Sequence, residues 1–290
     1  MPFDSKTWYL GWLGDMRAFP ITPETNFQMT EERFGGVHQS LSGARTIDST
    51  GFRQTFDFDF KYLTDAEYEF LRACYLGHIS ESLFLRNPMR KNLLSEQSSK
   101  AYVTNADDLG IYIGSFGNTV DSVRDFPSGI TTPGTQVPRV ISISSGPQYY
   151  TLDGLRGFIP VNVTEPVTFS IYLRTTSGSA SASVYMDALD KYGVAIPGAG
   201  ASVAASVTTS WQRFSVTVTP VAGVACVRAS VSLTTPGTYN LCMAAPQVEY
   251  GNVATAFSIG GGWQKVVIDQ IKSESPRYPL QNVSVTILEA

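Results

Sequence analysis

The sequence predicts a mainly β protein, in which a β domain with one short helix carries an inserted jelly-roll β-sandwich. In residues 56–61, FDFDFK, phenylalanines alternate with charged residues, which is typical of a strand with one buried face. From about residue 96 to residue 261, runs such as PRVISISS, VTFSIYLRTT and WQRFSVTVTPV alternate apolar and small polar residues between turn signals. The 25 Gly and 16 Pro favour many short strands joined by turns.

Residues 43–77 predict a hairpin followed by a short helix. The hairpin turn is expected at residues 49–51, Ser-Thr-Gly, between two strand-like runs. Thr64 and Glu67 form a capping box, in which each side chain satisfies a free backbone N–H at the helix start. Gly77 supplies a left-handed stop at the C-terminal end of the helix.

The first domain is predicted to be discontinuous in sequence. Residues 1–94 and 263–290 form it, and residues 95–262 form the inserted sandwich, because charges thin out where the middle segment begins. The terminal runs VVIDQIKSE and NVSVTILEA predict two strands that need a partner sheet, since two strands alone are marginal in water. The N-terminal hairpin supplies that sheet. Residues 260–262, Gly-Gly-Gly, are expected to form a flexible joint at the insertion.

The composition excludes several classes of function. A net charge of −4 argues against tight binding of nucleic acid, although an acidic surface can line a channel through which DNA slides. No secretory signal or membrane-spanning run is found, so we expect synthesis in the cytoplasm and no membrane insertion. Cys74, Cys226 and Cys242 show no metal spacing, and no cofactor is expected. Cys226 and Cys242 could pair across neighbouring strands, but buried free thiols are the favoured interpretation.

The order GARTIDSTGFRQTFDFDFKYLTDAEYEFLRACYLG, followed by FLRNPMRKNLL, resembles the distal tail and related minor tail proteins of long-tailed, siphovirus-type phages of actinobacteria. Asn92 and Leu93 match an Asn-Leu pair of that family, and VSVTILEA resembles its returning terminal strand. The resemblance implies a tail-tube-like β domain and a ring of copies, a hexamer in that family, at the virion tail tip or baseplate. The implied partners are the tail tube, tip hub and tape measure proteins, with DNA only in transit.

The inserted part resembles carbohydrate-binding modules of the sandwich type. The likeness lies in SWQRFSVTVT, around Trp211, and in APQVEYGNVATAF, residues 245–257. It implies outward-facing sandwich domains that attach to host cell-wall glycans by contacts that are individually weak but repeated around the ring. Such multivalency raises the overall affinity by orders of magnitude.

The candidate carbohydrate-binding residues are aromatic or acidic: Tyr149, Tyr150, Tyr185, Asp187, Tyr192 and Trp211. Tyr149 and Tyr150 are adjacent in the predicted loop GPQYYTLDG, where two neighbouring tyrosines are not easily both buried. Tyr185, Asp187 and Tyr192 are expected to line one face of the sandwich. The Trp211 ring suits the apolar side of a pyranose, although its position at the start of a strand favours a place in the core.

Three basic residues, Arg86, Arg90 and Lys91, surround the Asn-Pro turn of the first domain. Surface charge clusters are usually only solvated. In a ring-forming protein they could instead contact acidic residues of the neighbouring subunit. We therefore regard them as candidates for the subunit interface.

No catalytic residue is predicted. Asp57 and Asp59 lie two positions apart on a strand, at a separation close to that of a glycosidase pair, but a solvated strand face is the simpler explanation. Three other hypotheses stay open beside the tail-tip ring: a carbohydrate-binding adhesin without a channel role, a glycan-degrading enzyme, and a sandwich that is only a spacer. The Ala- and Ser-rich runs SGSASASV and GASVAASV favour the spacer, because they leave few aromatic residues for a sugar platform.

Overall fold

A computed structural model describes residues 4–21, 24–34, 37–39, 43, 45–47, 51–100, 118–130, 136–144, 146–153, 158–162 and 165–290. The chain divides into two compact units. The terminal unit comprises Trp8–Trp12, Arg17–Leu85 and Gln264–Ala290, and the sandwich unit comprises Met1–Thr7, Leu13–Met16 and Arg86–Trp263. No helix in this described part of the chain is long and apolar enough to cross a membrane.

The described elements confirm a mainly β fold. In chain order they are β1 (Tyr9–Trp12), β2 (Asp15–Ala18), β3 (Asn26–Phe34), β4 (Val37–Gln39), β5 (Arg45–Ile47), β6 (Gly51–Leu63), α1 (Asp65–Tyr75), β7 (Leu83–Arg86), α2 (Glu96–Lys100), β8 (Asn118–Val123), β9 (Val137–Ile143), β10 (Gln148–Thr151), β11 (Ile159–Pro160), β12 (Val167–Thr175), β13 (Ala180–Leu189), β14 (Ala201–Val207), β15 (Gln212–Val218), β16 (Cys226–Leu233), β17 (Gly237–Tyr250), β18 (Trp263–Arg277) and β19 (Leu280–Glu289).

The terminal unit is built on a sheet with the strand order β2-β1-β7-β18-β19-β6-β3. Phe56, Phe58 and Phe60 are buried on one face of β6, as their alternation with charged residues predicts. They pack with Trp8 and Phe19 in one hydrophobic cluster, in which the rings of Trp8 and Phe58 meet edge to face, with centroids 5.1 Å apart. The C-terminal strand β19 lies beside β6, as the sequence predicts.

The hairpin that contains β6 differs from the prediction. β6 pairs antiparallel with β3 in a continuous register from Asn26 opposite Asp59 to Phe34 opposite Gly51. The run expected to form the first arm of the hairpin is β5, which pairs instead with β4 as a separate two-stranded sheet. The expected turn residues Ser49 and Thr50 lie outside the described residues. The prediction failed because the longer β3 occupies the edge of β6 that β5 would have used.

Helix α1 begins and ends where the sequence predicts. The Glu67 carboxylate accepts a hydrogen bond of 2.8 Å from the backbone N–H of Thr64, which completes the capping box. Gly77 follows the helix with φ +69°, a conformation that L-residues with a side chain rarely adopt. Leu71 and Cys74 are the buried residues of the helix.

The sandwich unit contains two antiparallel sheets. One has the order β10-β16-β13-β14, with β11 also paired to β16, and the other has the order β15-β12-β17-β9-β8. β12 contacts β13 and β14 contacts β15, so the sheets pack face to face. The alternation along β13 buries Val184 and Met186 between the sheets and leaves Tyr185 and Asp187 on the outer face.

The main segment of the sandwich unit begins at Arg86, whereas the sequence predicts residue 95. The segment that follows β7 is bonded to the end of the sandwich: the N–H of Asn87 donates to the carbonyl of Gly262 at 2.9 Å, and that of Leu93 to the carbonyl of Val248 at 2.7 Å. The short helix α2 also lies in the region expected to be all β. It is too short to leave a helical period in the sequence.

The triple glycine is closely packed, so the prediction of a flexible joint at residues 260–262 is wrong. The three N–H groups donate in turn to the hydroxyl of Ser99 and to the carbonyls of Leu94 and Asn92, at 2.7, 2.7 and 2.9 Å. A Cβ on Gly262 would lie 2.7 Å from the carbonyl oxygen of Asn92. Gly260 and Gly262 are therefore explained by close approach of two backbones, which leaves no room for a side chain, and Gly261 by its φ of 107°.

Candidate functional site

A pocket of about 340 Å³ lies on the outer face of the β10-β16-β13-β14 sheet. It is lined by Tyr149, Thr151, Tyr185, Asp187, Arg228 and Ser230. Three of these residues, Tyr149, Tyr185 and Asp187, are among the candidates predicted from the sequence. We call this cavity the tyrosine pocket.

The strand register assembles the tyrosine pocket. β16 runs between β10 and β13, with Ser230 opposite both Thr151 and Tyr185, and with Arg228 opposite Asp187. Ser230 is only 1% exposed and its side chain is small. The central strand therefore forms a low floor, and the larger side chains of the flanking strands form the walls.

The aromatic walls are two tyrosines inclined to each other. The ring centroids of Tyr149 and Tyr185 are 6.3 Å apart, and the ring planes make an angle of 57°. Tyr149 is 49% exposed, so its ring is accessible from solvent. A hydrogen bond to Asp187, together with partial burial, raises the pKa of the Tyr185 phenol, so the hydroxyl keeps its proton as a donor.

The polar end of the pocket is an ion pair. Nη2 and Nε of Arg228 donate to the same carboxylate oxygen of Asp187, Oδ2, at 2.7 and 3.1 Å. The side chains are 39% and 13% exposed, respectively, so the guanidinium is the more accessible partner. The pocket thus offers aromatic faces, a carboxylate and a guanidinium within one small cavity, a combination suited to a ligand with an apolar face and hydroxyl edges.

No protein family model matches the chain, and no curated protein matches it. Similar solved structures include the enzymatically active domain of tailspike protein 4 of bacteriophage CBA120, with a TM-score of 0.40 and 11% identity over 55% of this chain and 21% of that one. Others are the CBM22-1 xylan-binding domain of Paenibacillus barcinonensis Xyn10C (TM-score 0.34, 14% identity, 49% of this chain and 88% of that one) and TmCBM61 in complex with β-1,4-galactotriose (TM-score 0.37, 11% identity, 55% and 99%).

The structure corrects the role expected for Tyr150. This residue is 1% exposed and lies opposite Val231 on the inner side of the sheet. The segment expected to be a loop is the strand β10, and adjacent strand residues point to opposite faces. Tyr149 therefore faces the pocket while Tyr150 lies in the core, where burial raises the pKa of its phenol.

Two further candidates do not line the tyrosine pocket. Tyr192 lies in the turn after β13, is 77% exposed, and has the Lys191 ammonium 5.0 Å from its ring centroid. Trp211 packs against a buried cluster that includes Cys242 and belongs to the other sheet. The guanidinium of Arg174 lies 5.4 Å from the Trp211 ring centroid. Trp211 is partly buried beside this cluster, and the choice between a place in the core and a role in sugar binding stays a prediction.

Arg86 is not a surface residue, so its assignment to a charged surface cluster is wrong. It is 2% exposed, and its guanidinium donates to four backbone carbonyls, those of Asn87, Arg90, Gly262 and Ser5. Desolvation lowers the pKa of Arg86 to about 10. Arg86 is thus a buried hydrogen-bond donor that links separate backbone segments of the sandwich unit.

Lys91 has the exposure expected of an interface candidate, and Arg90 is partly buried. The Lys91 ammonium donates to the hydroxyl of Thr255, at 2.6 Å, and to the carbonyl of Ala256. These bonds tie the segment after β7 to the loop that follows β17. The subunit interface stays a prediction for Arg90 and Lys91.

Arg228, Ser230 and Thr151 are pocket residues that the sequence analysis missed. Arg228 is the one charged residue of the run CVRASVSL, and an isolated charge in a strand marks its outward face. That signal alone does not show which residue the charge meets. The register that places Arg228 opposite Asp187 is a non-local property of the sheet.

Asp57 and Asp59 are engaged with the neighbouring strand. The hydroxyl of Thr286 donates to Asp57 at 2.7 Å, and that of Ser284 donates to Asp59. These cross-strand bonds explain the two carboxylates as stabilising contacts between β6 and β19. Among the residues that the structure describes, no group of three His, Cys, Asp or Glu side chains could hold a metal ion.

Proposed function

We propose that the tyrosine pocket binds a glycan and that the chain acts as a binding and structural protein without catalytic activity. The observation that carries the proposal is the position of the Asp187–Arg228 ion pair beside two inclined tyrosine rings. An aromatic ring contacts the apolar face of a pyranose, while a carboxylate accepts from its hydroxyls and a guanidinium donates to them. The pocket volume of about 340 Å³ suits one or two sugar units.

The experiment is titration of soluble oligosaccharides, including xylo- and galacto-oligosaccharides, together with retention of the chain on host cell wall. We expect weak binding, with a Kd on the order of 0.1–1 mM for a single site, and stronger retention by a multivalent assembly. A chain that binds no sugar and is not retained on cell wall would contradict glycan binding and favour the spacer hypothesis.

We further propose that the chain is a distal tail or minor tail protein of a long-tailed phage. In this proposal a ring of copies joins the tail tube to the tip hub, and the sandwich unit serves host attachment. Two observations support the proposal: the resemblance in the region of α1 and β7, and the return of β19 to the edge of β6, as the resemblance implies. The virion tail tip is the corresponding location.

The mass of the purified chain in solution, alone and with its tail-tube partner, tests the tail-tip role separately. A closed ring with a central hole in particle images is the expected result. A persistent monomer that is still retained on cell wall would favour an adhesin without a channel role. The two experiments are independent, because glycan binding does not require the ring.

A further inference from the structure

The sheet that carries the tyrosine pocket is almost free of charge. Its five described strands, β10, β11, β13, β14 and β16, contain one acidic residue, Asp187, and one basic residue, Arg228. The two lie directly opposite each other on neighbouring strands and form an ion pair. The outer face around them consists of small residues such as Ser183, Ser202 and Ser232.

We propose that Asp187 is a specificity-determining residue that makes the tyrosine pocket accept neutral sugars and reject acidic ones. This inference rests on the proposed glycan-binding function and adds a substrate class to it. The pocket is aromatic and hydroxylated apart from this ion pair. Its preference for charge therefore depends on whether the guanidinium of Arg228 is already compensated.

The geometry shows that Asp187 already compensates the charge of Arg228. Nε and Nη2 of Arg228 converge on one oxygen of Asp187, so this edge of the guanidinium is occupied, and the carboxylate stays beside the edge that remains open. An acidic sugar would have to displace Asp187 or lie beside it. Two like charges about 4 Å apart repel by about 1 kcal/mol in water and more in a partly buried site.

A neutral sugar meets no such conflict. Its hydroxyls donate as well as accept, so they can bond to the Asp187 carboxylate and to the Tyr185 hydroxyl without breaking the ion pair. The third guanidinium nitrogen of Arg228, Nη1, makes no hydrogen bond within the described part of the chain, and the side chain is 39% exposed. It is free to donate to a sugar oxygen.

The test uses matched pairs of oligosaccharides: uronate oligomers such as oligogalacturonate, and the same oligomers after reduction of the carboxyl groups. We expect the wild-type chain to bind the neutral member about tenfold more tightly than the acidic member at low salt. In Asp187→Asn the order of the two affinities should reverse, because the positive charge of Arg228 is then uncompensated and attracts the acidic oligomer. High salt should remove that gain. Asp269→Asn, an exposed substitution in the terminal unit with the same change of charge, is the matched control.

Arg228→Gln is the complementary variant. It should weaken binding of the neutral oligomers and give no affinity for the acidic ones, because the cation is lost and Asp187 remains. A wild-type chain that binds both members equally, or prefers the acidic one, overturns the inference and leaves glycan binding intact. A wild-type chain that binds neither member nor any other sugar overturns the proposed function itself. Thermal unfolding of each variant shows whether the sandwich unit is still folded. If Asp187→Asn is unfolded, the inference is tested by Arg228→Gln and by the ratio of the wild-type affinities for the neutral and the acidic oligomers.

Discussion

The side-chain oxygen of Asn92 accepts a hydrogen bond of 3.1 Å from the backbone N–H of Val248, which lies 156 positions further along the chain. The amide nitrogen of Asn92 donates to the carbonyls of Pro246 and Ser258, at 3.1 and 2.8 Å. One fully buried side chain thus joins the first segment of the sandwich unit to its last strand and to the loop beyond it.

Replacing Asn92 by alanine is therefore expected to destabilise the sandwich unit. Asn92→Ala leaves buried backbone groups without partners, and we expect a loss of about 3 kcal/mol in the free energy of unfolding. Urea unfolding followed by tryptophan fluorescence measures it. Asn252→Ala, at an exposed position of the same unit, should change the midpoint little. Equal midpoints for the two variants would show that the hydrogen bonds of the Asn92 side chain contribute nothing to the free energy of unfolding.

Arg86→Met tests the buried guanidinium. Methionine fills a similar volume but removes the donor to four carbonyls, of which those of Asn87 and Gly262 keep a backbone N–H donor, so a loss of about 3 kcal/mol is expected. The same unfolding assay applies, with the exposed Arg124→Met as the control. If Arg86 were an interface residue instead, the variant would keep the stability of the monomer and lose only assembly.

Gly260→Ala tests whether the triple glycine is a joint or a packed contact. An added Cβ would clash with the carbonyl oxygens of Leu94 and Ser95, and we expect a loss of about 1–3 kcal/mol from the forced backbone shift. Gly237→Ala is the control, because the nearest atom to its added Cβ is 3.9 Å away. Thermal unfolding midpoints measured in parallel decide the question. An unchanged unfolding midpoint for Gly260→Ala would support the flexible joint that the sequence analysis predicted.

The tyrosine pocket predicts unequal effects of tyrosine substitutions on sugar binding. Tyr149→Ala and Tyr185→Ala should each weaken the binding of a neutral oligosaccharide about tenfold, since each removes one aromatic wall. Tyr192→Ala should leave it unchanged, because Tyr192 lies outside the pocket. Titration calorimetry gives the three affinities. A loss with Tyr192→Ala comparable to the others would move the site to the turn after β13.

Burial of Cys226 predicts a fall in stability at alkaline pH. Desolvation raises the pKa of this thiol from 9.0 to about 12 in the folded chain. Between these values the unfolded chain has released the thiol proton while the folded chain keeps it, so raising the pH favours unfolding. The loss is about 1.4 kcal/mol per pH unit above pH 9.

Urea unfolding of the reduced protein at pH 8 and pH 10 measures this dependence, with Cys226→Ala as the comparison. The wild-type chain should lose more stability than the variant over that interval. Identical losses would show that the thiol titrates alike in both states. No disulfide joins the buried cysteines Cys74, Cys226 and Cys242, all of which the structure describes, so a thiol reagent should modify them only when the chain unfolds.

Local patterns in the sequence predicted the features that depend on local chemistry. The alternation at Phe56, Phe58 and Phe60 predicted a strand with one buried face, since the side chains of a strand point in turn to opposite sides. The pair Thr64 and Glu67 predicted the start of α1, because the capping box closes within four residues. The turn signals between residues 96 and 261 predicted the sandwich.

The features that were missed depend on distant parts of the chain. Arg86 is buried because carbonyls from Ser5 and Gly262 converge on it, and no local pattern marks that convergence. Tyr150 looked exposed because glycine and proline precede it, although β10 extends over it. Of the pocket, the sequence analysis identified Tyr149, Tyr185 and Asp187 but not Arg228, whose partner is set by the register of β13 and β16.

The position of β19 beside β6 also governs when the chain can fold during synthesis. β6 ends at Leu63, and its neighbour in the sheet begins at Leu280, so the ribosome must complete the whole sandwich unit before that edge is covered. Until then the backbone N–H and C=O groups along that edge of β6 are open to pairing with other chains, a hazard common to sheets with distant partners. Folding of the segment from Arg86 to Trp263 brings Asn87 next to Gly262, and this shortens the loop that the pairing of β6 with β19 has to close.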